Sequence, residues 1–189
     1  PSDDNKINII HVHGDYSAFL AARVLARRLK ARLLVASLHD RVGASSAVYR
    51  LALNRFNVVF ATGHGDALQL IDMLGRTVHH LPSAPEDLFF SPVLGGHPSG
   101  VIAVGSLFPN KKTDLIMACA AKVPHLRFAI YGDGPERPAL EALISKTGCN
   151  NVTLHGHGSP HDIAAGLQSA RVLVNVSLTE GTPTAALEA

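Results

Sequence analysis

Two carboxylates flank a short polar turn near the end of the 189-residue sequence. Glu180 precedes Gly181, Thr182 and Pro183, and Glu188 lies on the far side of the turn. We expect Thr182 to be the N-cap of a helix and Pro183 its first residue, where the missing N–H has no hydrogen bond to lose. The unpaired N–H groups from Gly181 onward would then form a site for an anion such as phosphate.

The two glutamates indicate that hydroxyl groups lie beside this anion. A carboxylate next to a phosphate would repel it, so Glu180 and Glu188 are better suited to accept hydrogen bonds from hydroxyl groups. Phosphate donors flanked by hydroxyl acceptors are typical of a nucleotide-sugar site. For the pair taken alone, two solvated glutamates at a helix start remain the simpler alternative.

Composition narrows the class of protein. The formal net charge of +2 is too close to zero to indicate binding to nucleic acid. No apolar run reaches membrane-spanning length, and we find no signal peptide before Lys6. Cys119 and Cys149 form no closely spaced pair, which fits reduced thiols. We therefore expect a cytoplasmic location, with peripheral contact to a membrane as an open alternative.

Apolar strands alternate with amphipathic helices along the chain. The strands are expected at 7–12, 33–38, 58–61 and 77–81, and then at 101–105, 126–131, 152–155 and 172–176. Later helices are expected to begin at Pro135 and Pro183, and a stretch rich in Pro and Gly at 82–100 reads as a linker. The pattern predicts an α/β fold with two Rossmann-like, doubly wound parallel sheets, in domains at 1–94 and 95–189.

Five motifs follow one another in the second half: Val104–Gly105–Ser106, Lys111, and the stretches 131–136, 152–156 and 180–188. In this order the series resembles the C-terminal nucleotide-binding domain of glycosyltransferase family 4, the glycosyl transferases group 1 enzymes of GT-B architecture. The two glutamates separated by seven residues resemble the signature of these retaining enzymes. The resemblance implies metal-independent transfer of a sugar from a nucleotide-diphosphate donor, such as a UDP- or GDP-sugar, to a sugar, lipid or small-molecule acceptor.

The resemblance also implies roles for individual residues. It assigns the donor diphosphate to two loops, which contain Gly105, Ser106, Lys111, Gly181, Thr182 and Pro183. Glu188 would bind the ribose hydroxyls, and the loop at Gly156 and His157 would lie along the base. Glu180 would contact the transferred sugar or stabilise the positive charge that develops on it. Lys111 would also act in catalysis, because a lysine is a compact point charge for a departing phosphate.

The first half resembles the later part of the family's acceptor domain. A histidine at the position of His39 faces the donor sugar in the family, and a neutral histidine there could bond a sugar hydroxyl or the leaving phosphate. His39 is therefore the third predicted catalytic residue. His11 and His13 end the preceding strand and are weaker candidates, since histidines near a strand end often have only local partners.

Two residues depart from the family pattern. The position after Gly105 is usually arginine, but this chain has Ser106, so a forked phosphate partner is missing. The residue after the family's lysine is usually glycine, but Lys112 follows Lys111 here. Both differences bear on how tightly a diphosphate would bind.

Eleven histidines raise the question of a metal site. Two groups could cluster: His155, His157 and His161, or His11, His13 and His39. Neither group shows the ligand spacing of a known zinc motif, and cysteine is scarce. We therefore expect no metal and no cofactor.

Three functions remain at this stage. The first is a glycosyltransferase; because the family's sequence pattern extends beyond both ends of this chain, we expect an internal fragment that is inactive or nearly so by itself. The second is a non-catalytic nucleotide-binding or subunit-interaction module, which Ser106 favours. The third is a nucleotide-sugar 2-epimerase, which would need acid and base residues around the sugar, where only His39 is a candidate.

Overall fold

The computed structural model describes residues 8–39, 42, 46–91 and 98–189. These residues fall into two compact units, of which the first extends to Ser83 and also includes Glu180–Thr182. The second contains Ala84–Thr179 and Pro183–Ala189. The 3-10 turn at Asp87–Phe90 packs against a helix of the second unit, and the domain bounds 1–94 and 95–189 remain a prediction.

Strands and helices alternate through the first unit. They are β1 (Ile9–Gly14), α1 (Tyr16–Leu29), β2 (Leu33–Leu38), α2 (Ser46–Leu53), β3 (Val58–Ala61), α3 (His64–Leu74) and β4 (His79–His80). Helix α1 begins where the Asp15 carboxylate accepts a hydrogen bond from the Ser17 N–H at 2.8 Å. It ends at Lys30, whose left-handed conformation (φ 52°) turns the chain toward β2.

The sheet of the first unit is parallel, with strand order β1-β2-β3-β4. Because crossovers between parallel strands are right-handed and the order advances in one direction, α1, α2 and α3 lie on one face. Large apolar side chains fill the space between this face and the helices, and Phe19, Leu53 and Phe56 are almost fully buried. The carboxyl ends of the strands share one edge, where His13 pairs in register with Ser37.

The second unit repeats the alternation. Its elements are β5 (Val101–Val104), α4 (Thr113–Lys122), β6 (Phe128–Tyr131), α5 (Arg137–Thr147), β7 (Val152–Gly156), α6 (Pro160–Ser169), β8 (Val172–Leu173) and α7 (Thr184–Glu188). All strands of the second sheet are parallel, and their order is β7-β6-β5-β8. The chain adds β6 and β7 on one side of β5 and β8 on the other, so the direction in which strands are added to the sheet reverses between β5 and β8. Ligands of open α/β sheets bind at the carboxyl ends of the strands beside such a reversal.

The predicted α/β fold with parallel sheets is confirmed. Among the described strands, the reversal that defines double winding occurs in the second sheet. The predicted start of α5 at Pro135 is wrong, because the helix begins at Arg137. The residues before it form a turn in which the Glu136 N–H donates to the Leu107 carbonyl at 3.0 Å. Strand β8 is also shorter than expected, although the Val174 N–H still donates to the Ile102 carbonyl at 2.8 Å.

Candidate functional site

The loops after β5 and β8 form one cavity at the reversal of the second sheet. Predicted donor residues Gly105, Ser106 and Lys111 line it, and so do Asn175 and Ser177 of the loop after β8. The two loops are joined by a hydrogen bond from the Leu178 N–H to the Asn110 carbonyl at 2.8 Å. The structure therefore brings together three of the residues that the sequence assigns to the donor diphosphate.

Lys111 ends a 3-10 turn, Pro109–Lys111, that leads into α4. The next residue, Lys112, has φ 53°, a left-handed conformation that a residue with a Cβ adopts at a cost. This geometry explains why glycine is suited to that position. Lysine in place of the family's usual glycine at position 112 therefore carries a conformational cost.

The loop after β6 contacts the loop after β5 and fixes its backbone. The Leu107 N–H donates to the Asp133 carbonyl at 2.9 Å, which continues the pairing of the two strands beyond their ends. A Cβ at Gly132 would lie 1.8 Å from the Gly105 carbonyl oxygen, so only glycine fits there. The sequence around Gly132 therefore holds the Gly105–Ser106 backbone in place and does not line the cavity itself.

Asn175 and Ser177 were not among the predicted site residues. The Ser177 N–H donates to the Asn175 side-chain oxygen at 2.9 Å, a local turn that fixes the backbone after β8. Their position after the last strand of the second sheet was the available signal. The strand order, which the sequence does not reveal, was needed to show that this loop lies beside the loop after β5.

The predicted base-binding loop lies at the end of β7. The Gly132 N–H donates to the Gly156 carbonyl at 2.7 Å, and the exposed His157 follows. Beside it, the rings of Tyr131 and His155 stack in parallel with centroids 4.4 Å apart. The sequence did not predict this aromatic pair, because it does not reveal the register between β6 and β7.

The predicted cap of the last helix is wrong by one residue. Pro183 is the N-cap of α7, and Thr182 lies outside the helix. The Thr182 hydroxyl does not cap the helix but donates to the Thr62 carbonyl at 2.5 Å. Gly181 lies at the end of the neighbouring strand β2, because a Cβ on it would be 3.2 Å from the His39 carbonyl oxygen. Within the first unit, Gly181 thus lies next to the backbone of His39 and Thr182 next to that of Thr62.

Glu188 lies in a separate depression of the second unit, together with Phe89 and Leu167. Burial raises the pKa of its carboxyl group, and the nearby negative charge of Glu86 raises it further. Glu188 does not line the cavity that contains Ser106 and Lys111. The predicted ribose-binding role of Glu188 remains a prediction.

Histidines line the carboxyl edge of the first sheet. Nδ1 of His13 and Nε2 of His39 lie 2.8 Å apart and share a hydrogen bond, and the two rings stack with centroids 5.1 Å apart. Nε2 of His11 bonds the hydroxyl of the buried Ser37 at 2.8 Å. Burial lowers the pKa of His11, and the positive charges that His13 and His39 can acquire lower it further.

In the part of the chain that the structure describes, no group of three or more His, Cys, Asp or Glu residues is arranged to hold a metal ion. The ring of His13 stacks on that of His39 and lies at a tilt of 38° to that of His11, and His13 and His39 also share a hydrogen bond. His155 instead stacks on Tyr131.

A sequence family described as "Glycosyl transferases group 1" matches residues 86–189, more than half of the chain. The matched part contains all the loops of the second unit described above. The chain belongs to this family.

Longer proteins resemble this group 1 chain. Over 203 aligned residues it is 23% identical to a phosphatidylinositol N-acetylglucosaminyltransferase subunit of Arabidopsis thaliana, with 97% of this chain and 45% of that protein covered. The sucrose-phosphate synthase of Thermosynechococcus elongatus has a TM-score of 0.77 at 17% identity, covering 95% of this chain and 53% of that one. The chain therefore spans about half the length of these proteins.

The TarM protein of S. aureus, solved with fondaparinux, alpha-GlcNAc-glycerol and UDP, has a TM-score of 0.71 at 16% identity. The match covers 85% of this chain and 35% of the TarM chain. At these identities the solved structures establish the fold, which is Rossmann-like and of GT-B type, as the sequence predicted. None of the helices in the described residues is both long and apolar enough to cross a membrane.

Proposed function

We propose that the protein transfers a sugar from a nucleotide-diphosphate sugar to an acceptor, with retention of configuration and without a metal ion. The observation that carries the proposal is the position of Lys111 and Ser106 in one cavity at the reversal of a sheet that belongs to the group 1 family. Open α/β sheets bind phosphorylated ligands at this place.

In this proposal Lys111 binds the diphosphate and stabilises its negative charge as it departs. The bond between the anomeric carbon and the diphosphate oxygen breaks, the acceptor oxygen forms the new bond, and the acceptor proton passes to the departing phosphate. A preorganised positive charge favours this step because the charge on the leaving group grows in the transition state. Ser106 donates a single hydrogen bond where a forked guanidinium would donate two.

The remaining predicted residues keep the roles that the family resemblance gives them. Glu180 contacts the sugar, Glu188 binds the ribose, and the loop at Gly156 and His157 follows the base. His39 bonds a sugar hydroxyl or the leaving phosphate, and its Nε2 shares a hydrogen bond with Nδ1 of His13. A ring held in this way has a fixed orientation toward any ligand at the strand ends.

The donor and acceptor are proposed by chemical class. TarM was solved with UDP, and the Arabidopsis relative is named for transfer of N-acetylglucosamine to phosphatidylinositol. UDP-N-acetylglucosamine and a phosphatidylinositol-containing vesicle are therefore the first donor and acceptor to test. We propose a cytoplasmic location and no cofactor; the free thiols of Cys119 and Cys149 support the location.

A non-catalytic nucleotide-binding module is the second candidate, favoured by Ser106 in the place of an arginine. A transfer assay on the intact protein separates the two candidates when it is combined with nucleotide titration. Transferase activity that falls about 100-fold or more in Lys111→Ala supports the first proposal. Nucleotide binding without turnover supports the second candidate, and neither binding nor turnover contradicts both.

A further inference from the structure

More than half of the Lys and Arg residues of the chain lie between Tyr16 and Arg76, in the first unit. From Tyr16 to Arg76 the sequence contains nine Lys or Arg residues and three Asp or Glu residues, although the whole chain has a net charge of only +2. Of these acids, Asp66 is buried and accepts a hydrogen bond from the Val42 N–H at 3.1 Å. The near-neutral total therefore hides a strongly positive region.

Part of this charge converges on one open cavity at the end of α1. Its cationic lining residues are Arg23, Arg27, Lys30, Arg32 and Arg55, and no carboxylate of the described residues lines it. They come from α1, from the turn before β2 and from the turn before β3. Like charges brought together in this way repel one another, so an anionic partner would relieve an existing cost.

Aliphatic side chains are exposed on the same helices. Val24 of α1 is 56% exposed, and Leu51 of α2 and Leu68 of α3 are each 55% exposed. Val24 and Leu25 directly precede the cationic end of α1, which contains Arg27 and Arg28. Exposed aliphatic side chains and cations on the same helices give this surface two kinds of affinity, for an apolar phase and for anions.

We propose that the outer surface of α1–α3 docks on a bilayer that contains anionic lipids. Aliphatic side chains such as Val24 and Leu51 would enter the boundary between headgroups and acyl chains, while arginine and lysine side chains extend to the lipid phosphates. A nucleic-acid partner would call for exposed aromatic rings between the cations, and the residues between them here are aliphatic. The proposal goes beyond sugar transfer and does not depend on it.

Vesicle sedimentation of the intact protein tests the proposal. The protein is mixed with vesicles of phosphatidylcholine alone, or of phosphatidylcholine with about 30% phosphatidylserine, at low and at high salt. One variant carries Arg27→Gln and Arg28→Gln, and a second carries Val24→Ser and Leu51→Ser. The matched control carries Lys122→Gln and Arg127→Gln, which removes two exposed cations from the second unit. Circular dichroism confirms that each variant is folded.

The proposal predicts binding to the anionic vesicles that weakens with salt. Each cation near an anionic surface contributes about fivefold in affinity, so the arginine pair should cost about 25-fold and the control pair less than about twofold. The aliphatic pair should cost about tenfold with the net charge unchanged. Equal binding to neutral vesicles, equal loss in the control, or no vesicle binding overturns the proposal, as does binding to RNA or an acidic peptide in place of vesicles.

Discussion

The carbonyl oxygen of Gly105 lies so close to Gly132 that a Cβ at position 132 would be 1.8 Å away from it. Gly132 also has φ 141°, a conformation that side chains rarely adopt. This contact holds the loop after β5 against the loop after β6, and the first of these loops carries two of the predicted donor residues. The glycine is therefore a structural requirement of the proposed site.

Gly132→Ala should lower the free energy of unfolding by more than about 3 kcal/mol, because backbone atoms on both sides would have to move. Urea unfolding measures the change. Gly65→Ala is the control, since Gly65 lies in α3 with no atom near the new Cβ, and this change should be neutral or stabilising by up to about 1 kcal/mol. Equal effects of the two substitutions would argue against the close contact.

Lys112→Gly should stabilise the protein by about 0.5–1 kcal/mol. Lys112 has φ 53°, and relief of the left-handed cost should exceed the entropy that glycine adds to the unfolded chain. The matched change Lys146→Gly, in the last turn of α5, should destabilise by about 0.5–1 kcal/mol. Thermal unfolding of both variants gives the comparison, and a loss of stability in Lys112→Gly would contradict the observed turn.

Glu188→Gln should raise the melting temperature at pH 7. Because burial and Glu86 raise the pKa of Glu188, the folded state holds this proton more tightly than the unfolded chain does. The wild type therefore loses stability as the pH rises through the folded pKa, and the neutral variant avoids this loss. The gain should vanish well below the ordinary value of 4.5, where both states are protonated.

Glu86→Gln provides the second arm of this experiment. This change should also raise the melting temperature at pH 7. The gain of the double variant should be smaller than the sum of the two single gains, because each single change already removes the same repulsion between Glu86 and Glu188. Additive gains would show that the two carboxylates do not interact.

The histidine group should make the first unit sensitive to mild acid. Since the pKa of His11 is lowered in the folded state, protonation favours the unfolded chain, and stability should fall as the pH decreases through 6.5, the ordinary histidine value. His11→Asn should flatten this pH dependence, whereas His125→Asn, at an exposed position of the second unit, should leave it unchanged. Urea unfolding between pH 8 and pH 5, a range of about 1.5 units on each side of that value, measures the slopes.

Much of the fold could be predicted because it rests on local patterns. The strand at Leu33–Leu38 and the strand at Val58–Ala61 have the predicted bounds, since each is a short apolar run between turn residues. The order of the strands in each sheet could not be predicted from the sequence. The sequence therefore did not show which loops lie next to one another at the site. Asn175 and Ser177 were missed for this reason.

The helix caps show a different limit of the sequence. Thr182 has the right local sequence for an N-cap, but its hydroxyl donates to the Thr62 carbonyl, 120 residues earlier in the chain. A tertiary partner of this kind competes with the local cap and cannot be read from neighbouring residues. The effect of Glu86 on Glu188 is likewise long-range, because the negative charge of Glu86, 102 residues earlier in the sequence, raises the pKa of the Glu188 carboxyl.

Calorimetric titration of UDP and GDP into the intact protein tests the central claim, that a nucleotide diphosphate binds between the loops after β5 and β8. We expect Lys111→Ala to weaken binding of the preferred nucleotide about 10-fold or more, because the nucleotide loses a charged hydrogen-bond partner. Lys112→Gly, which removes the neighbouring charge and suits the turn, should change the affinity less than about threefold. Equal losses in the two variants, or full affinity in Lys111→Ala, would contradict the proposed site.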